Sequence, residues 1–223
     1  MKNILLSLVV LLSSTAAMAY DRADDVERLQ NSANVLKEIM DAPDNGVPEE
    51  ILHDAKCIAV IPSMVKAAFG VGANYGKGVA SCRTANGWSA PAFFSIKGGS
   101  FGFQIGGQAA DIIMVIMNDR GMNNLLSSKF KLGADASVAA GPVGRHADAS
   151  TDWKLRAQVL TYSRTRGVFA GISLNGAAIT QHKDDTREFY GHMVPFRTIL
   201  TGKIAAPKDA EVWHASLVKY AGK

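Results

Sequence analysis

The middle of this chain constrains its fold more than any other part. Between Lys56 and Met117, apolar runs rich in Val, Ile, Phe and Ala alternate with breakers. These are Pro62, Gly70-Val71-Gly72, Gly76-Lys77-Gly78, Asn86-Gly87, Pro91, Gly98-Gly99 and Gly106-Gly107. Short apolar runs between such breaks are strand signals, and they predict strands near 57–61, 65–73, 78–83, 89–96, 101–107 and 110–117. Asn86-Gly87 is the clearest hairpin turn. The most apolar run, Ile112–Met117 (IIMVIM), predicts a buried strand; a spanning helix needs about 20 apolar residues.

Helical periodicity flanks this block. Val26, Leu29, Ala33, Leu36, Ile39 and Met40 recur at three- and four-residue spacing and predict an amphipathic helix over 21–42. Asp21, Asp24, Asp25 and Glu27 crowd its start, where acids suit the helix dipole. Residues 48–53 (PEEILH) predict a short second helix with Pro at its first position. Residues 118–127 predict another, capped by Asn118 or Asp119. Strand character returns at 134–140, 154–163, 167–174 and 177–180. Helices are expected at 183–190, 195–200 and 207–220, the last with Ala210, Trp213, Leu217 and Tyr220 on one side. The layout predicts an α+β fold: a many-stranded, mainly antiparallel curved sheet, as a sandwich or partly closed barrel, with packed N- and C-terminal helices.

The N-terminus reads as an export signal. Lys2 supplies a positive start, Ile4–Leu12 an apolar core, and Ala17-Met18-Ala19 a small-x-small cleavage site. Cleavage after Ala19 leaves one 204-residue domain, residues 20–223, in the periplasm or secreted. Its 23 basic and 20 acidic residues give a net charge of +3, which selects no partner class by itself. An oxidising compartment and an even cysteine count point to a Cys57–Cys82 disulfide, closing a loop of about 25 residues.

Catalytic signatures are missing. Gly70-Val71-Gly72-Ala73-Asn74-Tyr75-Gly76 has G-x-G-x-x-x-G spacing and is followed by strand-like sequence, whereas dinucleotide binding needs a helix N-terminus there. The sequence has no phosphate-binding P-loop motif and no G-x-S-x-G elbow. His53, His146, His182, His192 and His214 form no zinc-like pair. The expectation is a non-enzymatic protein with no metal, no cofactor and no nucleic-acid partner.

Several blocks occur in a fixed order: KCIAVIPS (56–63), WSAPAFF (88–94), GGSFGFQIGGQA (98–109), VIMND (115–119), KFKLGADASVAAGPVGR (129–145) and YSRTRGVFAGISL (162–174). In these the chain resembles the SYLF family of lipid-binding domains over roughly residues 35–220. The resemblance implies a non-enzymatic phospholipid-binding function at the bacterial envelope. Actin binding, described for some fungal members, does not suit an exported protein. Residues 21–42 occupy the place of the membrane-contacting helix of animal members, but their Asp-rich start departs from a basic membrane helix. Anionic phospholipids or a membrane surface attract Lys and Arg by about 1 kcal/mol each. Three i, i+2 pairs are candidates for that contact: Lys129 and Lys131, Lys154 and Arg156, Arg164 and Arg166. In extended chain both members of each pair point the same way. Phe101, Phe103 and Ile105 alternate in the Gly-rich run, as core or as an apolar slot for acyl chains. An envelope protein-interaction module without a lipid site is the competing expectation.

Overall fold

A computed structural model describes residues 2–42, 46–127, 129–142, 157–165, 168–171 and 174–222, with side chains from Arg22 onward except at 66–72, 100–108 and 168–171. Helix α1 spans Lys2–Asp41, so the amphipathic segment expected over 21–42 is the second half of a longer helix. Helix α2 (Glu49–Asp54) follows. The six strands expected in the middle are two long ones, β1 (Cys57–Thr84) and β3 (Ala92–Ile116), with β2 (Gly87–Trp88) at the turn between them. The breakers bend the strands without ending them. Register shifts fall between Ile61 and Met64, at Pro62-Ser63, and between Phe69 and Val71, at Gly70. Bulges of this kind bend a strand and raise its twist. At the first, Ser63 takes φ 56 and its N–H donates to Asp111 Oδ1 at 2.9 Å. The predicted hairpin forms with its turn one residue earlier than Asn86-Gly87: Thr84 pairs with Gly87, Ala85 and Asn86 form the turn, and Gly87, the first residue of β2, takes the positive φ of 109°.

The β1–β3 ribbon curls almost full circle. A straight strand covering the 25-residue separation of Cys57 and Cys82 would put its ends about 80 Å apart. Their Cα atoms lie 3.9 Å apart and the sulfurs are bonded. Next to them, Arg83 N–H donates to Lys56 O at 2.8 Å. Late β1 therefore lies against early β1, and glycine makes the approach possible. A Cβ on Gly78 would stand 2.5 Å from Val60 O and 2.7 Å from the Phe94 ring.

The remaining elements extend the ring. They are α3 (Asp119–Leu125), β4 (Lys129–Lys131), β5 (Val138–Ala140), β6 (Val159–Thr165), β7 (Val168–Gly171), β8 (Ala178–Gln181), α4 (Lys183–Tyr190), α5 (Phe196–Leu200) and α6 (Glu211–Ala221). Asn118 caps α3 as expected, accepting from Gly121 N–H at 2.9 Å. Among the described residues the sheet has eight strands, antiparallel except where β5 runs parallel to β6. The expected α+β architecture with a partly closed, mainly antiparallel sheet is what forms.

Both faces of the ring's base are buried, which explains the continuous apolar runs there. Cys57, Ala59, Ile61, Ile112, Met114 and Ile116 face the interior with α5 residues Phe196, Ile199 and Leu200. Ile58, Val60, Ile113 and Val115 face outward under α1, α2, α4 and α6, meeting Leu29, Leu36, Leu52, Phe189, Trp213 and Leu217. Each such large apolar side chain contributes about 1.5–3 kcal/mol on burial. Trp213 also donates its indole N–H to Ser81 Oγ at 2.9 Å, so the C-terminal helix is fixed in rotation as well as docked.

Candidate functional site

Four strands build one exposed basic face. Residues directly opposite in an antiparallel ladder share a face. Tyr75 of β1 lies opposite Lys97 of β3, Lys97 opposite Ala178 of β8, and Ala178 opposite Lys131 of β4. One step along, Lys77, Ser95, Thr180 and Lys129 form a second row. With strands about 4.8 Å apart, the rows are about 14 Å long and about 7 Å from each other. Phe130, between the two β4 lysines, is buried with Ile179 and Ile96 in the interior. That anchor fixes Lys129 and Lys131 outward, on the shared face their i, i+2 spacing predicts.

The electrostatics of this face are one-sided. From Ala55 to Ala110 the chain has no Asp or Glu; its charges are Lys56, Lys66, Lys77, Arg83 and Lys97. Among the described residues, the ammonium groups of Lys97, Lys129 and Lys131 have no carboxylate partner. Asp135 lies nearby, but its Oδ2 accepts from the Lys131 backbone N–H at 2.7 Å. Lys97 Nζ sits 5.6 Å from the centre of the exposed Tyr75 ring. Lys77 turns to the rim and pairs with Asp185 at 3.0 Å.

The other sequence candidates divide. Lys154, Arg156 and Arg166 lie outside the described residues. Arg164 is on β6, which is no neighbour of β4 in the sheet. Its guanidinium is engaged by Asp111, with Nε–Oδ2 2.9 Å, and by Glu38 of α1. Asp111 in turn holds the Ser63 bulge, so Arg164 has a structural post. The side chains of Phe101, Phe103 and Ile105 lie outside the described set; the backbone pairs Ile105 with Phe69 and Phe101 with Val71. Sequence reasoning missed Lys97, Lys77 and Tyr75. Lys97 is a lone lysine in sequence, and only the pairing of β3 with β8 and of β8 with β4 brings it to Lys131.

A second polar cluster sits beneath α1. Arg28 donates to Asp25 at 2.7 Å and to Asp185 at 2.8 Å, and Asp185 also meets Lys77 and His182, each at 3.0 Å. Asp25 is 1 % exposed, and its Oδ2 has no hydrogen-bond partner. Burial, reinforced by the charge of Asp185, pushes its carboxyl up to about 7. Burial also disfavours the Asp185 carboxylate, but its bond with His182 and the charges of Arg28 and Lys77 outweigh that and hold it at about 2. Arg22 extends the junction by donating to Phe189 O at the end of α4 and pairing with Asp209 at 2.9 Å. These bonds join α1 to α4 and to Lys77 of β1, so the cluster docks the two helices on the sheet.

Fold and face together define a class: a curled-sheet α+β domain with an exposed cationic surface and a buried ionic junction. Residues 97–220 match the Ysc84 family, described as "Las17-binding protein actin regulator". The chain belongs to this family, that of the SYLF domain. It is 34 % identical over 189 residues to the SH3 domain-containing YSC84-like protein 1 of Rattus norvegicus, covering 82 % of this chain and 55 % of that protein. It is 31 % identical over 172 residues to Protein YSC84 of Saccharomyces cerevisiae, covering 75 % of this chain and 36 % of that protein. LAS seventeen-binding protein 3 of the same species is 33 % identical over 168 residues, covering 74 % of this chain and 36 % of that protein. The chain spans about half or less of the length of these relatives.

Proposed function

We propose that this is an exported, non-enzymatic domain of the bacterial envelope that binds anionic phospholipid surfaces through the face carrying Lys97, Lys129 and Lys131. The observation that carries the reading is the convergence of these three lysines on one exposed sheet face, with no carboxylate on their ammonium groups among the described residues. Phosphate-rich surfaces attract each such lysine by about 1 kcal/mol, so three contribute about 3 kcal/mol, a factor of roughly 150 in affinity. Export is supported by the three-part N-terminal pattern and fits the Cys57–Cys82 disulfide.

The test is co-sedimentation of the protein with anionic and with neutral vesicles at two salt concentrations. Binding to anionic vesicles should weaken at high salt, because the Debye length falls from about 8 Å at physiological ionic strength to about 3 Å at 1 M. The K97A/K129A/K131A variant should lose roughly two orders of magnitude. Binding that is absent from both vesicle types, or unchanged in the variant, refutes the reading. The family description, which names a protein target, favours a second reading: the same face docks an acidic protein segment. A pulldown giving a stoichiometric protein partner, with no vesicle binding, would select it.

A further inference from the structure

Resting on the lipid-surface reading, we propose that a proton on Asp25 regulates the lysine face, by freeing Lys77 from the buried ionic junction as a fourth cation for the anionic surface. The junction and the face share this one lysine. Lys77 stands in the row Lys77, Ser95, Thr180, Lys129, and its ammonium also meets Asp185 at 3.0 Å. Asp185 is bonded to Arg28 at 2.8 Å, and Arg28 to Asp25 at 2.7 Å. A chain of four charged groups thus leads from beneath α1 to the edge of the face. Asp25 is faced by Arg28 of its own helix, by Lys77 of β1 and by Asp185 of α4; His182, the cap of α4, also sits on Asp185. Arg22, three residues earlier on α1, is engaged by Asp209 in the segment before α6.

Charge gives the direction of the effect. Ionised, Asp25 joins Asp185 in balancing Arg28 and Lys77. Protonated, it leaves Asp185 alone between two cations. Arg28 is held inside: its side chain is 12 % exposed, it bonds both carboxylates, and its guanidinium lies 5.8 Å from the centre of the Phe93 ring. The Lys77 side chain is 34 % exposed, a compact charge on a flexible stem, and it is the member that can turn to an anion outside. The unbalanced charge therefore appears at the edge of the face. Asp25 is suited to carry the proton. Its buried Oδ2 has no hydrogen-bond partner among the described residues, an arrangement that costs a neutral carboxyl less than a carboxylate. Burial and the charge of Asp185 push this carboxyl up to about 7, so the proton is exchanged near neutrality. Linkage works in both directions: the proton strengthens binding to the anionic surface, and the surface strengthens binding of the proton.

The test uses the full chain with vesicles of phosphatidylglycerol, whose phosphodiester does not titrate near neutrality, and of phosphatidylcholine as the neutral control. The window is about one pH unit either side of the Asp25 value, from about 6 to about 8. One added charge strengthens binding to an anionic surface about fivefold when protonation is complete, so wild-type affinity should fall about threefold across the window. Near pH 7, binding should take up about a third of a proton, read by calorimetry in buffers of different ionisation enthalpy. D25N, the neutral isostere of the protonated form, should bind throughout as wild type does at the acidic end, with no proton uptake. K77M should lose the pH response. Should D25N not fold, proton uptake by wild type and the K77M profile decide. A flat wild-type profile, or one that D25N reproduces and so assigns to His182, overturns the proposal and leaves the lysine face standing. A response that survives in K77M does the same. A loss of affinity that coincides with a shift in the emission of buried Trp213 reports undocking of the helices and also overturns it. Absence of wild-type binding to phosphatidylglycerol at both ends of the window overturns the lipid reading and this proposal together.

Discussion

Removing the Cys57–Cys82 bond should cost this domain about 3.5 kcal/mol. The bond joins the two ends of one strand, which meet at 3.9 Å only because β1 curls through a ring. In the chain-entropy account, closing a loop of about 25 residues removes about 12 cal/mol/K from the unfolded chain, or about 3.5 kcal/mol at 25 °C. The native cross-connections that remain at this seam include Arg83 N–H to Lys56 O at 2.8 Å and the Arg83 side chain to the carbonyls of Ala55 and His53 at 2.9 Å each. C57A/C82A is the cleaner perturbation, since serine would add buried hydroxyls where both cysteines are fully buried. Urea unfolding should show a midpoint lowered with the folded spectrum intact. For about 200 residues the melting temperature should drop by roughly 10 °C. Reduction of the wild type should match the variant within about 1 kcal/mol. A loss below about 1 kcal/mol in both would refute the argument, because the ring would then be held by packing and hydrogen bonds alone.

Three further outcomes follow from particular contacts. G78A should destabilise by roughly 2–3 kcal/mol in urea unfolding, because its Cβ meets the Val60 carbonyl and the Phe94 ring, neither of which can yield cheaply. For Asp25 the folded value, about 7, lies above the unfolded one near 3.8, so the native state holds the extra proton and stability falls as pH rises from about 4 to 7. For Asp185, held at about 2, the sign reverses, and its contribution is lost as pH falls from about 4 toward 2. Wild-type stability set by these two groups should therefore peak near pH 4, and D25N should flatten the decline above it; an unchanged profile refutes the assignment. R164A should cost about 3 kcal/mol in thermal or urea unfolding by stranding Asp111, while vesicle binding stays within twofold of wild type.

The curled sheet was legible because its apolar runs are continuous where both faces are buried, as at Cys57–Ile61 and Ile112–Ile116. The two strand lengths were not, since Pro62 and the glycine pairs look the same in sequence whether they end a strand or bend it. Lys129 and Lys131 were legible as a pair because spacing within a strand is local. Their grouping with Lys97 was not, because it depends on β8, which comes about 80 residues after Lys97 and still pairs between β3 and β4. Arg164 illustrates the opposite failure. In sequence it is one half of a basic pair; in space, Asp111 of β3 and Glu38 of α1 claim it for the fold.

This contrast separates charges that serve stability from those that remain available for binding. Arg22, Arg28, Lys77 and Arg164 each meet a carboxylate from a distant segment, and three of the four connect to α1 or lie on it. Lys97, Lys129 and Lys131 share their face of the β3–β8–β4 sheet with Lys77, but among the described residues the ionic junction there engages Lys77 alone. Their backbones are fixed by strand pairing, so binding an anionic surface orders three side chains but needs no rearrangement of the chain that carries them. The sheet thus sets the spacing of the three lysines, while the ionic junction under α1 holds Lys77 at the edge of the same face and the apolar core of Ile96, Phe130 and Ile179 fills the opposite one.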